Sequence, residues 1–286
     1  EEAHARGETD EFIKPLVMVD DAGQPLAPIR AGDGILCFNF RADRMRQMVR
    51  VWTSPGFDGF DRRGGPLLDV VTMTQYDQTF TVPVAFGPMV LNEILADVVS
   101  RSGLAMLRTA ETEKYAHVTY FFNGGVEEAY RGEERRLVDS QKVATYDLKP
   151  EMSAAGVTDV LCAAIEARKH DFILVNYANG DMVGHTGVLP AAVQAVQTVD
   201  QCLARLLASA DRARASVLIT ADHGNCEQMI DPATGGPHTA HTSNPVPFLV
   251  YHEGFRGPLR AGGSLRDVGP TVLGLLGLEP PATMTG

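Results

Sequence analysis

Short apolar runs alternate with longer amphipathic segments along this chain of 286 residues. Apolar runs of about four to eight residues predict buried strands, and apolar residues that recur every three or four positions predict helices. The alternation is most regular between residues 150 and 255. The predicted strands are DGILCFNF (33–40), PLLDVVTMTQY (66–76), HVTYFFNGG (117–125), FILVNYA (172–178), SVLITAD (216–222) and PFLVYHE (247–253).

Four helices are predicted between these strands. They are ADRMRQMVRVW (42–52), VLNEILADVVSRSG (90–103), AAGVTDVLCAAIEARK (154–169) and PAAVQAVQTVDQCLARLLASA (190–210). Strands that alternate with helices predict an α/β fold, with a mostly parallel sheet flanked by helices. In such sheets, functional side chains gather at the carboxyl ends of the strands.

Net charge, the length of the apolar runs and the cysteine pattern argue against several classes of protein. The net charge of -11 argues against nucleic acid or an anionic membrane as a partner. The apolar runs are far shorter than the roughly 20 residues that span a bilayer, and we recognise no signal peptide. The four cysteines form no CxxC pair, which argues against a disulfide framework or a structural zinc site. These features predict a protein of the reducing cytoplasm.

Acid and imidazole side chains recur just beyond predicted strands. Asp181 and His185 follow FILV, Asp222 and His223 follow SVLI, and His241 stands in HTAHTSNPVP. Each cluster alone also fits a capping loop or a buried histidine, but three such clusters are hard to explain as independent accidents. Mixed carboxylate and imidazole ligands suit manganese, zinc or iron. We therefore predict a pair of metals that acts on a phosphate ester, with a single hydrolytic metal as the alternative.

Several other polar residues have more than one interpretation. His238 could be a ligand, a supporting group or a solvated side chain, and spacing does not decide. Arg41 and Arg44 at a predicted helix start could clamp an anion or form a solvated face. Lys114, placed just before a predicted strand, could contact a phosphate or be exposed.

Six motifs carry a specific resemblance. In order they are NFRADRMRQ (39–47), AETEKYAHVTYFFNGG (110–125), VATYDLKPEMSA (143–154), NYANGDMVGHTG (176–187), TADHGNCEQM (220–229) and HTAHTSNPVPF (238–248). Together they resemble the cofactor-independent (2,3-bisphosphoglycerate-independent) phosphoglycerate mutases, in particular their C-terminal portion. The resemblance implies an alkaline phosphatase-like α/β fold. It also implies that residues 1–86 are the C-terminal part of a smaller phosphotransferase domain and residues 87–286 a metal-binding phosphatase domain.

The resemblance further implies two manganese ions and the residues that serve them. Asp181, His185 and His241 would bind one ion, and Asp222 and His223 the other. The side chains that would contact the substrate are Arg41 and Arg44, for its anionic groups, and Lys114, for the phosphoryl group.

The activity implied is that of an isomerase of glycolysis and gluconeogenesis, active as a cytoplasmic monomer. It would interconvert 3-phosphoglycerate and 2-phosphoglycerate through a phosphoserine. No serine of this sequence matches the family's nucleophile motif, so we expect the chain to be inactive alone. The alternatives are a related metal-dependent phosphatase or phosphopentomutase, and a non-catalytic metal-binding fragment.

Overall fold

The computed structural model describes residues 2–8, 12–87 and 91–286. The chain divides into two compact units, Lys14–Val90 and a larger one of Glu1–Ile13 with Leu91–Gly286. The predicted division at residues 86 and 87 lies close to this boundary, but the first 13 residues group with the larger unit. None of the helices among the described residues combines the length and hydrophobicity of a membrane span.

The smaller unit is built on two parallel strands and one helix. Its elements are β1 (Gly34–Cys37), α2 (Ala42–Thr53) and β2 (Asp69–Thr72). Val49 of α2 and Val70 of β2 are buried together with Tyr76, whose hydroxyl donates to the Cys37 carbonyl at 3.2 Å. All three elements were predicted from the apolar pattern.

The larger unit contains seven α-helices, one π-helix and five strands among its described residues. They are α1 (Glu2–Ala5), α3 (Leu95–Arg101), β3 (Met106–Glu111), α4 (Thr112–Ala116), a π-helix (His117–Phe121), β4 (Glu133–Val138), α5 (Ala154–Ala167), β5 (Phe172–Asn176), α6 (Asn179–Gly184), α7 (Leu189–Ala213), β6 (Val217–Thr220), β7 (Phe248–Tyr251) and α8 (Val268–Leu275), with short 3-10 turns at Tyr146–Leu148 and Leu265–Asp267. The helix predicted over residues 90–103 corresponds to α3, and its first residue lies outside the described ranges.

Two sheets organise this unit. The first has the order β4-β3-β5 with all strands parallel, and every residue of the central strand β3 is buried. Strands β6 and β7 form a separate antiparallel pair. Helices α5 and α7 pack together through Val157, Leu161 and Leu206. The predicted parallel arrangement is therefore confirmed for the first sheet, whereas the last pair of strands departs from it.

The strand predicted at residues 117–125 is wrong. That segment continues α4 as a π-helix, and the strand is the preceding β3, whose sequence MLRTAE is too polar to look like a core strand. Arg108 is fully buried there, and its guanidinium lies against the rings of Phe122 and Phe172, 4.4 and 5.1 Å from their centroids. Such cation–π contacts offset part of the desolvation cost of a buried charge.

Candidate metal centre

Asp181 and His185 lie on one face of α6 and its C-terminal cap. They were predicted just beyond a strand, and they lie there four residues apart on a short helix, the spacing that brings side chains together. His185 Nε2 lies 3.1 Å from Asp181 Oδ1. The helix begins shortly after β5 ends, so it stands at the carboxyl end of a parallel strand.

His241 and His223 join this pair from the segment between β6 and β7. His241 Nε2 lies 2.9 Å from Asp181 Oδ1 and 3.1 Å from His185 Nε2. The ring of His223 stacks on that of His241 with 3.7 Å between centroids. One ligand atom each from Asp181, His223 and His241 lies within 4.8 Å of the others. Four potential ligands therefore converge on one point.

The donor atoms of this cluster fit a cation. His185 Nδ1 lies 2.7 Å from the carbonyl oxygen of Thr239, so Nδ1 carries the hydrogen in the neutral ring. The lone pair of Nε2 then faces the oxygen of Asp181 and the nitrogen of His241. Lone pairs that point at one another repel unless a positive charge lies between them. A divalent transition metal supplies that charge, and a carbonyl partner on Nδ1 is the usual support of a ligating histidine.

Electrostatics keeps the ligands in their metal-binding forms. Burial opposes ionisation of Asp181, but the charge of Lys114 and the hydrogen bonds from Lys114 and Asn225 outweigh it and hold the carboxyl pKa far below its usual range. Burial and the neighbouring His223 and His185 lower the pKa of His241, and together they outweigh the opposing effect of Asp181. An ionised carboxylate and a neutral imidazole are the forms that bind metals.

Lys114 belongs to the same cluster. It lies on α4, directly after β3, rather than before a strand as predicted, and it is 4% exposed. Its ammonium group donates to Oδ2 of Asp181. The two residues meet because β3 and β5 are parallel neighbours, so the segments that follow both strands lie at one edge of the sheet.

Asp222 and His238 do not belong to this group of converging side chains. Asp222 is exposed, and its Oδ1 lies 3.7 Å from His223 Nε2. The geometry thus groups His223 with Asp181, whereas the sequence resemblance groups it with Asp222. The backbone N–H of His238 donates to the Met229 carbonyl, and its side chain is outside the group of potential ligands found among the described residues.

Two residues that sequence analysis did not single out connect the loops of the site. The side-chain amide of Asn225 donates to Asp181 Oδ1 at 2.9 Å. The carboxylate of Glu227 accepts from the Asn225 backbone N–H and from the hydroxyl of Thr242. Asn225 and Glu227 stand in the same motif as Asp222 and His223, which was the one signal that could have identified them.

The predicted anion-binding arginines lie in the smaller unit. Arg41 caps the N-terminus of α2 and its Nε lies 3.2 Å from Asp43, while Arg44 occupies the first turn. Both side chains are exposed. Their position at a helix start was predicted correctly, and their role in binding substrate stays a prediction.

Both the sequence and the fold of this chain resemble known proteins. Residues 38–280 match the Metalloenzyme superfamily. The 2,3-bisphosphoglycerate-independent phosphoglycerate mutases of Moorella thermoacetica and Desulforudis audaxviator are 53% and 56% identical over 99% and 100% of this chain. That of Pseudomonas aeruginosa is 53% identical over the whole chain. The alignments cover 55% to 56% of these relatives, so the chain spans about half their length.

A solved structure agrees with the sequence comparison. Leishmania mexicana phosphoglycerate mutase, determined at low cobalt concentration, superposes with a TM-score of 0.87 at 32% identity, over 98% of this chain and 55% of that one. This match confirms the predicted alkaline phosphatase-like fold class and the resemblance drawn from the motifs. The chain belongs to the metalloenzyme superfamily.

Proposed function

We propose that this sequence supplies the metal centre and part of the substrate site of a 2,3-bisphosphoglycerate-independent phosphoglycerate mutase. The whole protein would interconvert 3-phosphoglycerate and 2-phosphoglycerate. The observation that carries the proposal is the convergence of Asp181, His185, His223 and His241 with the buried Lys114. The relatives that match the whole chain carry the name of this enzyme.

The proposed cofactor is a pair of manganese ions. Asp181, His185 and His241 would hold one ion, and Asp222 and His223 the other. When bound, such ions neutralise phosphoryl oxygens and lower the pKa of an attacking hydroxyl group. The stacking of His223 on His241 would bring the two sets of ligands next to each other.

The chain's own side chains would bind and orient the substrate. Lys114 brings a positive charge to the edge of the metal centre, where it would neutralise charge on the transferred phosphoryl group. Arg41 and Arg44 are exposed at a helix start, where guanidinium groups bind carboxylate or phosphate. In the same proposal the protein is a cytoplasmic monomer that acts in glycolysis and gluconeogenesis.

Phosphorus NMR of 3-phosphoglycerate with excess Mn²⁺ tests the activity. We expect a protein that carries this sequence together with the family's serine motif to form 2-phosphoglycerate, and the Asp181→Ala variant to form none. Free phosphate as the product would favour the phosphatase alternative and overturn the proposal. Turnover of pentose phosphates instead of 3-phosphoglycerate would favour the phosphopentomutase.

The 286 residues alone give a second test. We expect them to bind Mn²⁺ and to leave 3-phosphoglycerate unchanged, because no serine here matches the nucleophile motif. Formation of 2-phosphoglycerate that is lost in Asp222→Ala would contradict this expectation, since another residue would then be accepting the phosphoryl group.

A further inference from the structure

We infer that Asn225 is a positioning residue of the metal centre, which orients the Asp181 carboxylate so that Oδ1 alone faces the imidazole ligands. The inference rests on the proposed function, because it gives Asn225 a task within the metal site proposed there. Asn225 would act through Asp181 without touching the substrate.

The contacts of Asp181 leave its carboxylate little freedom. Asn225 is 5% exposed, and its Nδ2 donates to both Oδ1 and the backbone carbonyl of Asp181, at 2.9 and 3.3 Å. Lys114 occupies Oδ2. The carboxylate is therefore held at both oxygens, and Oδ1, which also lies against His185 and His241, is the atom presented to a metal.

The other end of the same amide is unpaired. Asn225 Oδ1 is buried and has no hydrogen-bond partner among the described residues. A buried acceptor without a partner is unfavourable, and most buried polar atoms avoid it. Reversing the amide would place this oxygen against the carboxylate of Asp181, which is worse. The orientation of the Asn225 side chain therefore satisfies its donor group and leaves its acceptor unpaired. Locally unfavourable features of this kind are expected at functional sites.

The surroundings leave room for the amide and connect Asn225 to the loop of His241. A Cβ atom at Gly184 would lie 2.7 Å from Asn225 Cγ, so only glycine at position 184 leaves room for the side chain. The backbone N–H of Asn225 donates to Glu227 Oε2 at 2.6 Å, and Glu227 also accepts from Thr242, the neighbour of His241. Asn225 therefore links the loop that carries His241 to the carboxylate that it orients.

Mn²⁺ binding to Asn225→Ala, followed through the paramagnetic resonance signal of free Mn²⁺, tests the inference. We expect the Mn²⁺ affinity to fall about 10- to 100-fold, as it does when the support of a metal ligand is removed. The matched control is Asn123→Ala. Asn123 is also buried, donates its amide to a carboxylate (Glu133, 2.9 Å) and has an unpaired Oδ1. This control should lose stability in EDTA but keep the wild-type affinity.

The results distinguish a failure of the proposed function from a failure of the inference about Asn225. If the unaltered chain does not bind Mn²⁺, the proposed function fails. If it binds Mn²⁺ and Asn225→Ala binds as tightly, Asn225 is structural only and the inference is overturned. Thermal unfolding in EDTA shows whether Asn225→Ala folds; if it does not, Asn225→Ser provides the same comparison with a smaller loss of packing.

Discussion

The imidazole rings of His223 and His241 stack with their centroids 3.7 Å apart and their planes 22° apart. The stacking follows from a backbone bridge, in which the N–H of Thr242 donates to the carbonyl of Gly224 at 2.9 Å. This bridge closes the long segment between β6 and β7 onto itself. His223 and His241, which the resemblance assigns to different ions, are therefore direct neighbours.

His241 and His238 should respond differently to substitution. Replacing His241 with alanine removes a nitrogen that lies 2.9 Å from Asp181 Oδ1, so we expect a larger fall in Mn²⁺ affinity than the roughly 10- to 100-fold caused by losing a supporting contact. His238→Ala is the matched control, three residues earlier in the same loop. Isothermal titration with Mn²⁺ measures both. A large loss in the control would make His238 a ligand.

Lys114 is the cationic partner of the Asp181 carboxylate in the absence of a metal ion, and we expect it to stabilise the folded protein there. Lys114→Met keeps the length of the side chain but leaves a buried carboxylate without its cationic partner. We expect the free energy of unfolding to fall by about 3 kcal/mol in EDTA. The loss should be smaller in excess Mn²⁺, because the metal then supplies positive charge to Asp181.

Urea unfolding with and without Mn²⁺ measures this difference. Lys149→Met is the matched control, because the ammonium group of Lys149 donates to the neutral amide of Gln141 at 2.9 Å. Its effect should be small and should not depend on Mn²⁺. If Lys114→Met lowers the free energy of unfolding by the same amount with and without Mn²⁺, Lys114 contributes by packing alone.

Glu133 should make stability depend on acid pH. Burial opposes ionisation of its carboxyl, but hydrogen bonds from Tyr130, Asn123 and Arg135 outweigh it and lower the pKa. The folded-state pKa then lies below the unfolded value of about 4.3. The stabilisation is therefore present above about pH 4.3 and is lost as the pH falls through the folded-state pKa.

The variant Glu133→Gln should lose this stabilisation at every pH. We expect it to be about 3 kcal/mol less stable than the unaltered chain at pH 7, since it breaks a buried pair with Arg135 at 2.6 Å. The difference should shrink below about pH 4, where the native carboxyl becomes protonated. Glu134→Gln alters contacts of an exposed carboxylate with Arg136 and His170 and should change stability much less. A difference that stays constant down to pH 3 would contradict the assignment.

Limited proteolysis should begin in the smaller unit. Residues 14–33 are exposed throughout and form no helix, and their one strand-like contact is the single bridge between Val19 and Pro25. Exposed backbone of this kind is cut first, because a protease needs local unfolding to reach its substrate. Mass spectrometry of the early fragments should place the first cuts before residue 90. Preferential cleavage within residues 150–250 would contradict the expectation.

Much of the fold could be predicted because apolar periodicity is a local signal. The strands β5, β6 and β7 and the helices α5 and α7 were all predicted from it. It failed at β3 and β4, where charged residues occupy the strands. Arg108 of β3 contacts the rings of Phe122 and Phe172, and neither contact can be read from the sequence of the strand itself.

The sequence by itself determined the chemistry of the site. A carboxylate and several imidazoles after strands are ligand types that the order of residues displays directly, and the motifs around them identify the family. Only the tertiary structure decided which side chains meet. Lys114 touches Asp181 because β3 and β5 pair in parallel, and Asn225 reaches Asp181 because Gly184 leaves room for it. Both contacts depend on residues far apart in the chain, and strand pairing and close packing at such distances leave no periodic trace in a single sequence.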